Sequence, residues 1–149
     1  MRHTMIFVKC ASLFLFIAIA GLQARTQSQN PANTPPTAGW TDPATLLTWT
    51  TADNGADVNW DEANAYCANL PLGGYSDWSV PTIEMLRSLY DANAGDMHVK
   101  ANLKLSSGSQ WTSTEKGTRE ARTFDFISGK PGFKLRDLRT SSRTMCVRH

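Results

Sequence analysis

The sequence has few of the residues and motifs that carry out catalysis. Its 149 residues include three histidines and three cysteines, and they contain no HExxH, GxSxG, P-loop or CxxC pattern. These absences argue against the zinc hydrolases, α/β-hydrolases, phosphate-loop enzymes and dithiol oxidoreductases that such motifs define. The one mid-chain histidine, His98, lies in a polar stretch that is typical of surface residues. We therefore expect a protein that is not an enzyme.

Long apolar runs are also scarce, and the one that exists lies at the N-terminus. Residues 10–22 (CASLFLFIAIAGL) follow a basic start and end among small residues, which is typical of a secretory signal peptide cleaved after Ala20 or Ala24. The alternative, a membrane anchor, needs about 20 apolar residues. A lipid anchor needs its cysteine directly after the run, whereas Cys10 stands before it. We expect a signal peptide over residues 1–24 and an exported protein, periplasmic or extracellular, without a membrane partner after cleavage.

The exported part divides into a linker and a domain. Residues 25–39 are rich in Pro, Thr, Asn and Gln and lack an apolar period, so they are expected to form a disordered linker. Residues 40–149 have the length of one ordinary domain. The sequence indicates no oligomeric state.

Charge is distributed unevenly along the exported part. Residues 25–99 contain nine Asp and Glu against two Arg, and residues 100–149 contain eleven Lys and Arg against four Asp and Glu. The two parts nearly cancel, and we expect no nucleic-acid partner. The asymmetry has two interpretations: a basic face that attracts polyanions, or two parts that neutralise each other where they pack.

Two short helices are predicted early in the domain. Asn59 is a good N-cap with Glu62 three residues later, and the apolar residues that follow place Cys67 on the buried face. A second helix is expected after Thr82, its N-cap, and ends before residues 93–95. Strands are expected at 45–51, 110–113, 122–127 and 143–148 because these segments are rich in β-branched and aromatic residues, with turns at 52–57 and 129–132. The fold class is therefore α+β.

The part of the chain that follows the predicted signal peptide contains two cysteines. Removal of the signal peptide leaves Cys67 and Cys146, and an oxidising compartment favours a disulfide between them. Closing this loop would stabilise the fold by roughly 4 kcal/mol in the chain-entropy model. The alternative is two buried free thiols.

Candidate ligand-binding residues are basic or aromatic. The densest basic group could contact sulfates or carboxylates of an acidic glycan, and it comprises Lys130, Lys134, Arg136, Arg139 and Arg143. Trp49, Trp60 and Trp111 are assigned to the core, whereas the aromatic residues expected to be exposed for stacking on sugars are Trp40, Tyr75 and Trp78.

A calcium site is a further candidate. Asp53, Asn54 and Asp57 cluster hard oxygen atoms of the kind that Ca²⁺ prefers. The same residues are ordinary turn formers, and the twelve-residue loop with a terminal Glu is missing. No other cofactor is expected.

Several motifs taken together resemble the Lcl C-terminal-domain family of exported bacterial domains. They are Trp49, Asp53-Asn54-Gly55, Asn59-Trp60-Asp61-Glu62-Ala63, Tyr66-Cys67, Leu70, Gly73-Gly74-Tyr75-Ser76-Asp77-Trp78, Pro81-Thr82, Leu86, Trp111-Thr112-Ser113 and Cys146-Val147-Arg148. The resemblance covers residues 39–148. It implies a C-type-lectin-like fold, related to formylglycine-generating-enzyme domains, in which two short helices flank a twisted antiparallel sheet. It also implies a disulfide between the first helix and the last strand.

The resemblance also implies a function. The adhesin that names the family binds sulfated glycosaminoglycan-like polymers, although this chain lacks its collagen-like stalk. We expect a secreted or periplasmic non-catalytic binding module for an acidic polysaccharide or a cell-surface protein. The alternatives are a structural or assembly role at the envelope and, less favoured, an enzyme related to formylglycine-generating domains, which would need reactive thiols that the disulfide removes.

Overall fold

The computed structural model of the protein describes residues 39–149. The predicted signal peptide (1–24) and all but the last residue of the predicted linker (25–39) lie outside the described residues. The described part contains two α-helices and two three-stranded antiparallel sheets. The α+β class is confirmed, whereas the expected single sheet is wrong, because two small sheets take its place.

The helices begin where their caps predict. Helix α1 (Trp60–Ala68) starts with a complete capping box, in which the Asn59 side chain accepts from the Glu62 N–H and the Glu62 carboxylate accepts from the Asn59 N–H. A 3-10 turn (Leu72–Gly74) follows. Helix α2 (Ile83–Leu89) is capped by the Thr82 hydroxyl. Neither helix of residues 39–149 has the length and apolar character needed to cross a membrane.

The first sheet joins the two ends of the domain. Its strands are β1 (Trp40–Thr41), β2 (Thr48–Trp49) and β6 (Val147–Arg148), in the order β1-β2-β6. Strand β2 is shorter than the predicted 45–51 because Asp42 and Leu47 close a turn with Leu46 at a φ of 61°. The predicted strand 143–148 is likewise reduced to its last part, with one isolated bridge at Arg143.

The second sheet is a meander of β3 (Ser109–Lys116), β4 (Glu120–Asp125) and β5 (Lys130–Leu135). Strand β5 was not predicted, because its Pro and Gly indicate a turn at 129–132. The turn lies earlier, at residues 126–129, and Pro131 lies inside the strand. An edge strand tolerates proline where the missing N–H would face outward.

Two apolar clusters form the core, and the disulfide lies in one of them. Cys67 of α1 and Cys146, directly before β6, are bonded with their Cα atoms 5.5 Å apart. They pack with Trp60, Trp78 and Trp111, while the other cluster holds Trp49 and the phenylalanines of β4 and its turn. The predicted disulfide is thus confirmed, as is the core assignment of Trp49, Trp60 and Trp111.

Candidate functional site: a hydroxyl-lined groove on the second sheet

A groove of about 430 Å³ lies on one face of the second sheet, which we call the sheet groove. Two glycines, which have no side chain, leave room for the groove. A Cβ atom on Gly132 would lie 3.0 Å from the Thr123 Oγ1, and one on Gly108 would lie 2.8 Å from the Ile127 Cγ1. The lining combines six polar side chains with a mostly apolar exposed surface, and it comprises Ser107, Gly108, Ser109, Thr123, Asp125, Ile127, Gly132, Phe133, Lys134 and Ser141.

Lys134 organises one wall of the sheet groove. Its Nζ donates to the Thr140 carbonyl (3.0 Å), the Ser141 carbonyl (3.4 Å) and the Ser142 Oγ (2.6 Å). Burial lowers the pKa of this amine, and the nearby Asp57 and Asp125 carboxylates partly offset the effect. The three donors of the ammonium group are therefore used to hold the 140–142 segment against the sheet.

Asp125 lines the other end of the sheet groove, and Lys130 is its partner residue across β4 and β5. The Asp125 Oδ1 accepts from the N–H and the hydroxyl of Ser128, both at 2.8 Å. Lys130 is exposed and forms no ion pair within residues 39–149. Ile127, 59% exposed, adds an apolar surface beside these charges.

The remaining basic candidates contact acidic residues of the first half of the domain. Arg136 pairs with Asp61 at 2.8 Å, and its guanidinium lies over the Trp60 ring. Arg139 pairs with Glu62.

Arg143 lies beside the sheet groove but is also engaged. Its Nε pairs with Asp57 at 3.4 Å, and its Nη1 donates to the Ser106 hydroxyl. Of the two interpretations of the uneven charge, neutralisation between the packed halves therefore describes Arg136, Arg139 and Arg143. Of the five basic candidates, only Lys134 lines the sheet groove. Lys130 is the strand partner of Asp125, a lining residue, and the Arg143 N–H donates to the carbonyl of Ser109, another lining residue. Arg136 and Arg139 lie beside α1.

The aromatic candidates lie away from the sheet groove. Trp78 is 3% exposed, so its predicted exposure is wrong: its Nε1 donates to the Leu72 carbonyl and its ring fills the core. Tyr75 is exposed at 42%, with the Arg148 guanidinium 3.6 Å from its ring centre. Trp40 is half-buried against the core.

Arg148 contacts Asp77 as well as the Tyr75 ring. Its Nε donates to the Asp77 Oδ1 at 2.8 Å. This hydrogen bond lowers the pKa of Asp77 and raises that of Arg148. The pair closes the GGYSDW segment onto the last strand.

The side chains of the calcium candidates Asp53, Asn54 and Asp57 form hydrogen bonds with other protein groups. The Asp53 carboxylate accepts from the Ser106 N–H (2.7 Å) and from Gln110 Nε2 (3.2 Å), and the Asn54 Oδ1 accepts from the Thr144 N–H. Asp57 contacts Ser141 and Arg143. Within residues 39–149 no three His, Cys, Asp or Glu side chains converge as a metal site would require.

The family model of the Lcl C-terminal domain matches residues 39–148. The chain belongs to the Lcl C-terminal domain family. No curated protein matches the chain.

Sequence reasoning missed most of the residues that line the groove of this Lcl C-terminal domain. Ser107, Ser109 and Thr123 belong to common residue types, and no spacing in the sequence brings them near Ser141. Two signals were available: the closely spaced serines around Gly108, and a glycine next to Pro131 in a segment that is otherwise basic and apolar.

Proposed function

We propose that this Lcl C-terminal domain is an exported, non-catalytic binding module with a C-type-lectin-like fold, and that its sheet groove binds an acidic saccharide. Export to the periplasm or beyond follows from the predicted signal peptide and agrees with the disulfide, since such bonds persist in oxidising compartments.

Three features support the C-type-lectin-like fold. Strands β1, β2 and β6 hold the two ends of the domain together, two short helices lie early in the chain, and the disulfide joins α1 to the segment entering the last strand. The relation to formylglycine-generating-enzyme domains is part of the same proposal.

The lining of the sheet groove carries the proposal for the ligand. Sugars present hydroxyl groups that pair with Ser, Thr and Asp side chains, and apolar C–H faces that pack on residues such as the exposed Ile127. Lys130 adds a cation that no carboxylate of residues 39–149 neutralises by an ion pair. It would contact a carboxylate or sulfate of the sugar, through a charge-assisted hydrogen bond.

The proposal of a non-catalytic role is supported by how the reactive groups are used. Both cysteines of the domain are bonded, which leaves no thiol for the oxygen chemistry of an oxidative relative. The shifted pKa values of Asp77, Lys134 and Arg148 follow from pairing and burial. His98 contacts the edge of the Tyr90 ring and lies outside the sheet groove.

Retention on immobilised heparin or polygalacturonate tests the proposal. The exported protein should be retained at low salt and elute as salt rises, because screening weakens contacts between exposed charges. Lys130→Ser should elute at clearly lower salt. Lys104→Ser, which removes an exposed lysine outside the sheet groove, should elute with the unmodified protein. Absence of retention at low salt, or equal shifts for both variants, would contradict the proposal.

A structural or assembly role at the cell envelope is a second candidate function. The observation that favours it is the outer edge of β5, which no other strand of residues 39–149 covers, because free strand edges bind other polypeptides.

A further inference from the structure

The outer edge of β5 carries backbone groups in a defined alternation. Among residues 39–149, strand β5 pairs with β4 and with no other strand. The Arg136 N–H donates to the Arg119 carbonyl at 3.0 Å, next to the pair of Leu135 with Glu120. Opposed residues of antiparallel strands alternate between hydrogen-bonded and non-bonded pairs. The backbone groups of residues 132 and 134 therefore point to β4, and those of 131, 133 and 135 point outward.

Not all of the outward groups are free. Pro131 has no N–H, and the Leu135 carbonyl accepts from the Leu138 N–H at 3.3 Å. Four groups are left: the carbonyl of Pro131, the N–H and carbonyl of Phe133, and the N–H of Leu135. Within residues 39–149, no backbone group of a turn or loop forms a hydrogen bond with these four groups. They match one antiparallel strand in one register, with a single residue exchanging both bonds with Phe133.

The side chains of β5 separate by chemistry onto the two faces of the sheet. One face presents Pro131, Phe133 and Leu135, of which Phe133 is 54% and Leu135 38% exposed. The other presents Lys130 and Lys134 on either side of Gly132. The strand contains no carboxylate. Apolar and cationic positions therefore alternate along a free edge.

We propose that the β5 edge binds an extended acidic segment of a partner protein as a fourth, antiparallel strand, with apolar and acidic residues alternating along that segment. Its apolar residues pack on Pro131, Phe133 and Leu135. Its acidic residues lie on the face of Lys130 and Lys134. Adjacent residues on one face of paired strands are close enough for such contacts.

The positive charges of β5 favour an acidic segment over a second copy of this chain as the occupant of the edge. Two β5 strands paired about Phe133 would also form four backbone bonds, but they would bring two lysines from each copy to one face and oppose Lys130 to Arg136. Like charges opposed across strands destabilise the pairing. Lysine and proline at an edge are also features that prevent self-association of sheets. An acidic segment instead places its carboxylates beside the exposed Lys130 and near the charge of Lys134, whose donors hold the 140–142 segment.

Amide hydrogen exchange with a synthetic peptide tests the proposal. The probe is acetyl-Glu-Val-Glu-Val-Glu-Val-Glu-amide, added to the exported protein. Exchange of the Phe133 and Leu135 amides should be fast without peptide and slow at least tenfold with it. The amides of Gly132 and Lys134, already bonded to β4, should exchange slowly and change little. Equal slowing of all four amides, or no slowing at Phe133 and Leu135, would overturn the proposal.

Two control peptides separate strand pairing from charge attraction. A peptide with N-methylated valines keeps the charges but loses the backbone donors, and one with Lys for Glu keeps the donors but reverses the charges. Both should bind at least tenfold more weakly in fluorescence anisotropy. Equal binding of either control would overturn the proposal, and so would slowing of the Phe133 amide by rising protein concentration alone, since that result indicates a second copy.

Matched variants of the protein separate this edge from the sheet groove. Leu135→Ala removes an exposed apolar side chain of β5 that does not line the sheet groove, and it should weaken peptide binding at least fivefold. Leu138→Ala removes an exposed apolar side chain outside the strand and should leave binding within twofold. Equal losses for the two variants would overturn the proposal. Failure of the saccharide test would not bear on this result, because the peptide readout does not depend on a sugar ligand.

Discussion

Breaking the Cys67–Cys146 bond should remove a large share of the stability of the domain. The bond closes a loop with a sequence separation of 79, for which the chain-entropy model gives about 4.5 kcal/mol at 25 °C. Both side chains are buried, so replacing each cysteine with alanine also removes a packed sulfur, at about 1 kcal/mol each. The double alanine variant should therefore lose about 6.5 kcal/mol, comparable to the entire stability of many small domains.

Urea unfolding of the two single variants and the double variant tests this estimate. With a denaturant dependence of about 1.5 kcal/mol per molar, the loss of about 5.5 kcal/mol expected for each single variant lowers the midpoint by about 3.7 M. Cys67→Ala alone should already lose the loop-closure contribution, so adding Cys146→Ala should cost only about 1 kcal/mol more. Single losses that add up in the double variant would refute the reasoning, because two residues that share one bond cannot contribute it twice.

Three other substitutions have defined outcomes. Asn59→Ala removes the cap of α1 and should lower the free energy of unfolding by about 1 kcal/mol, measured by urea titration, with no change indicating that the cap is redundant. Trp78→Phe removes the hydrogen bond to the Leu72 carbonyl and part of a buried ring, and should cost about 2 kcal/mol; a neutral result would indicate that neither loss matters. Asp77→Asn should destabilise the protein at neutral pH. The folded-state pKa of Asp77 lies below its ordinary value of 3.8, so the contribution of the pair is present above that value and is lost as pH falls through the folded pKa. Thermal melts of the two proteins should therefore converge in strong acid, and a constant difference would contradict the assigned cause.

Local signals explain what the sequence could predict of the fold. The caps at Asn59 and Thr82 act within three residues of themselves, and the helices begin where these caps lie. The disulfide follows from counting the cysteines that remain once the predicted signal peptide is set aside. Each of these predictions depends on few partners, so tertiary context did not alter them.

The errors arise where distant parts of the chain decide the outcome. Pro131 indicates a turn on local grounds, but an outward-facing position at a sheet edge removes its penalty. Trp78 lies outside the predicted helices and strands, which made it a candidate for exposure, yet its ring is buried and its N–H donates to the Leu72 carbonyl. The sheet groove depends on Ser107, Thr123 and Ser141, which meet only after the second sheet has formed.

Ion pairs between the two halves of the domain explain the uneven distribution of charge along the sequence. Arg136, Arg139 and Arg143 are engaged with carboxylates of the first half, so their contribution to attracting a distant polyanion is reduced. Lys130 is not engaged in this way, and it projects from the strand that borders both the sheet groove and the free edge. A near-neutral domain can thus present a local positive charge where its hydroxyl groups and its unpaired backbone are both accessible. Any acidic ligand of this domain, saccharide or polypeptide, should accordingly depend more on Lys130 than on the denser arginine group that the sequence makes conspicuous.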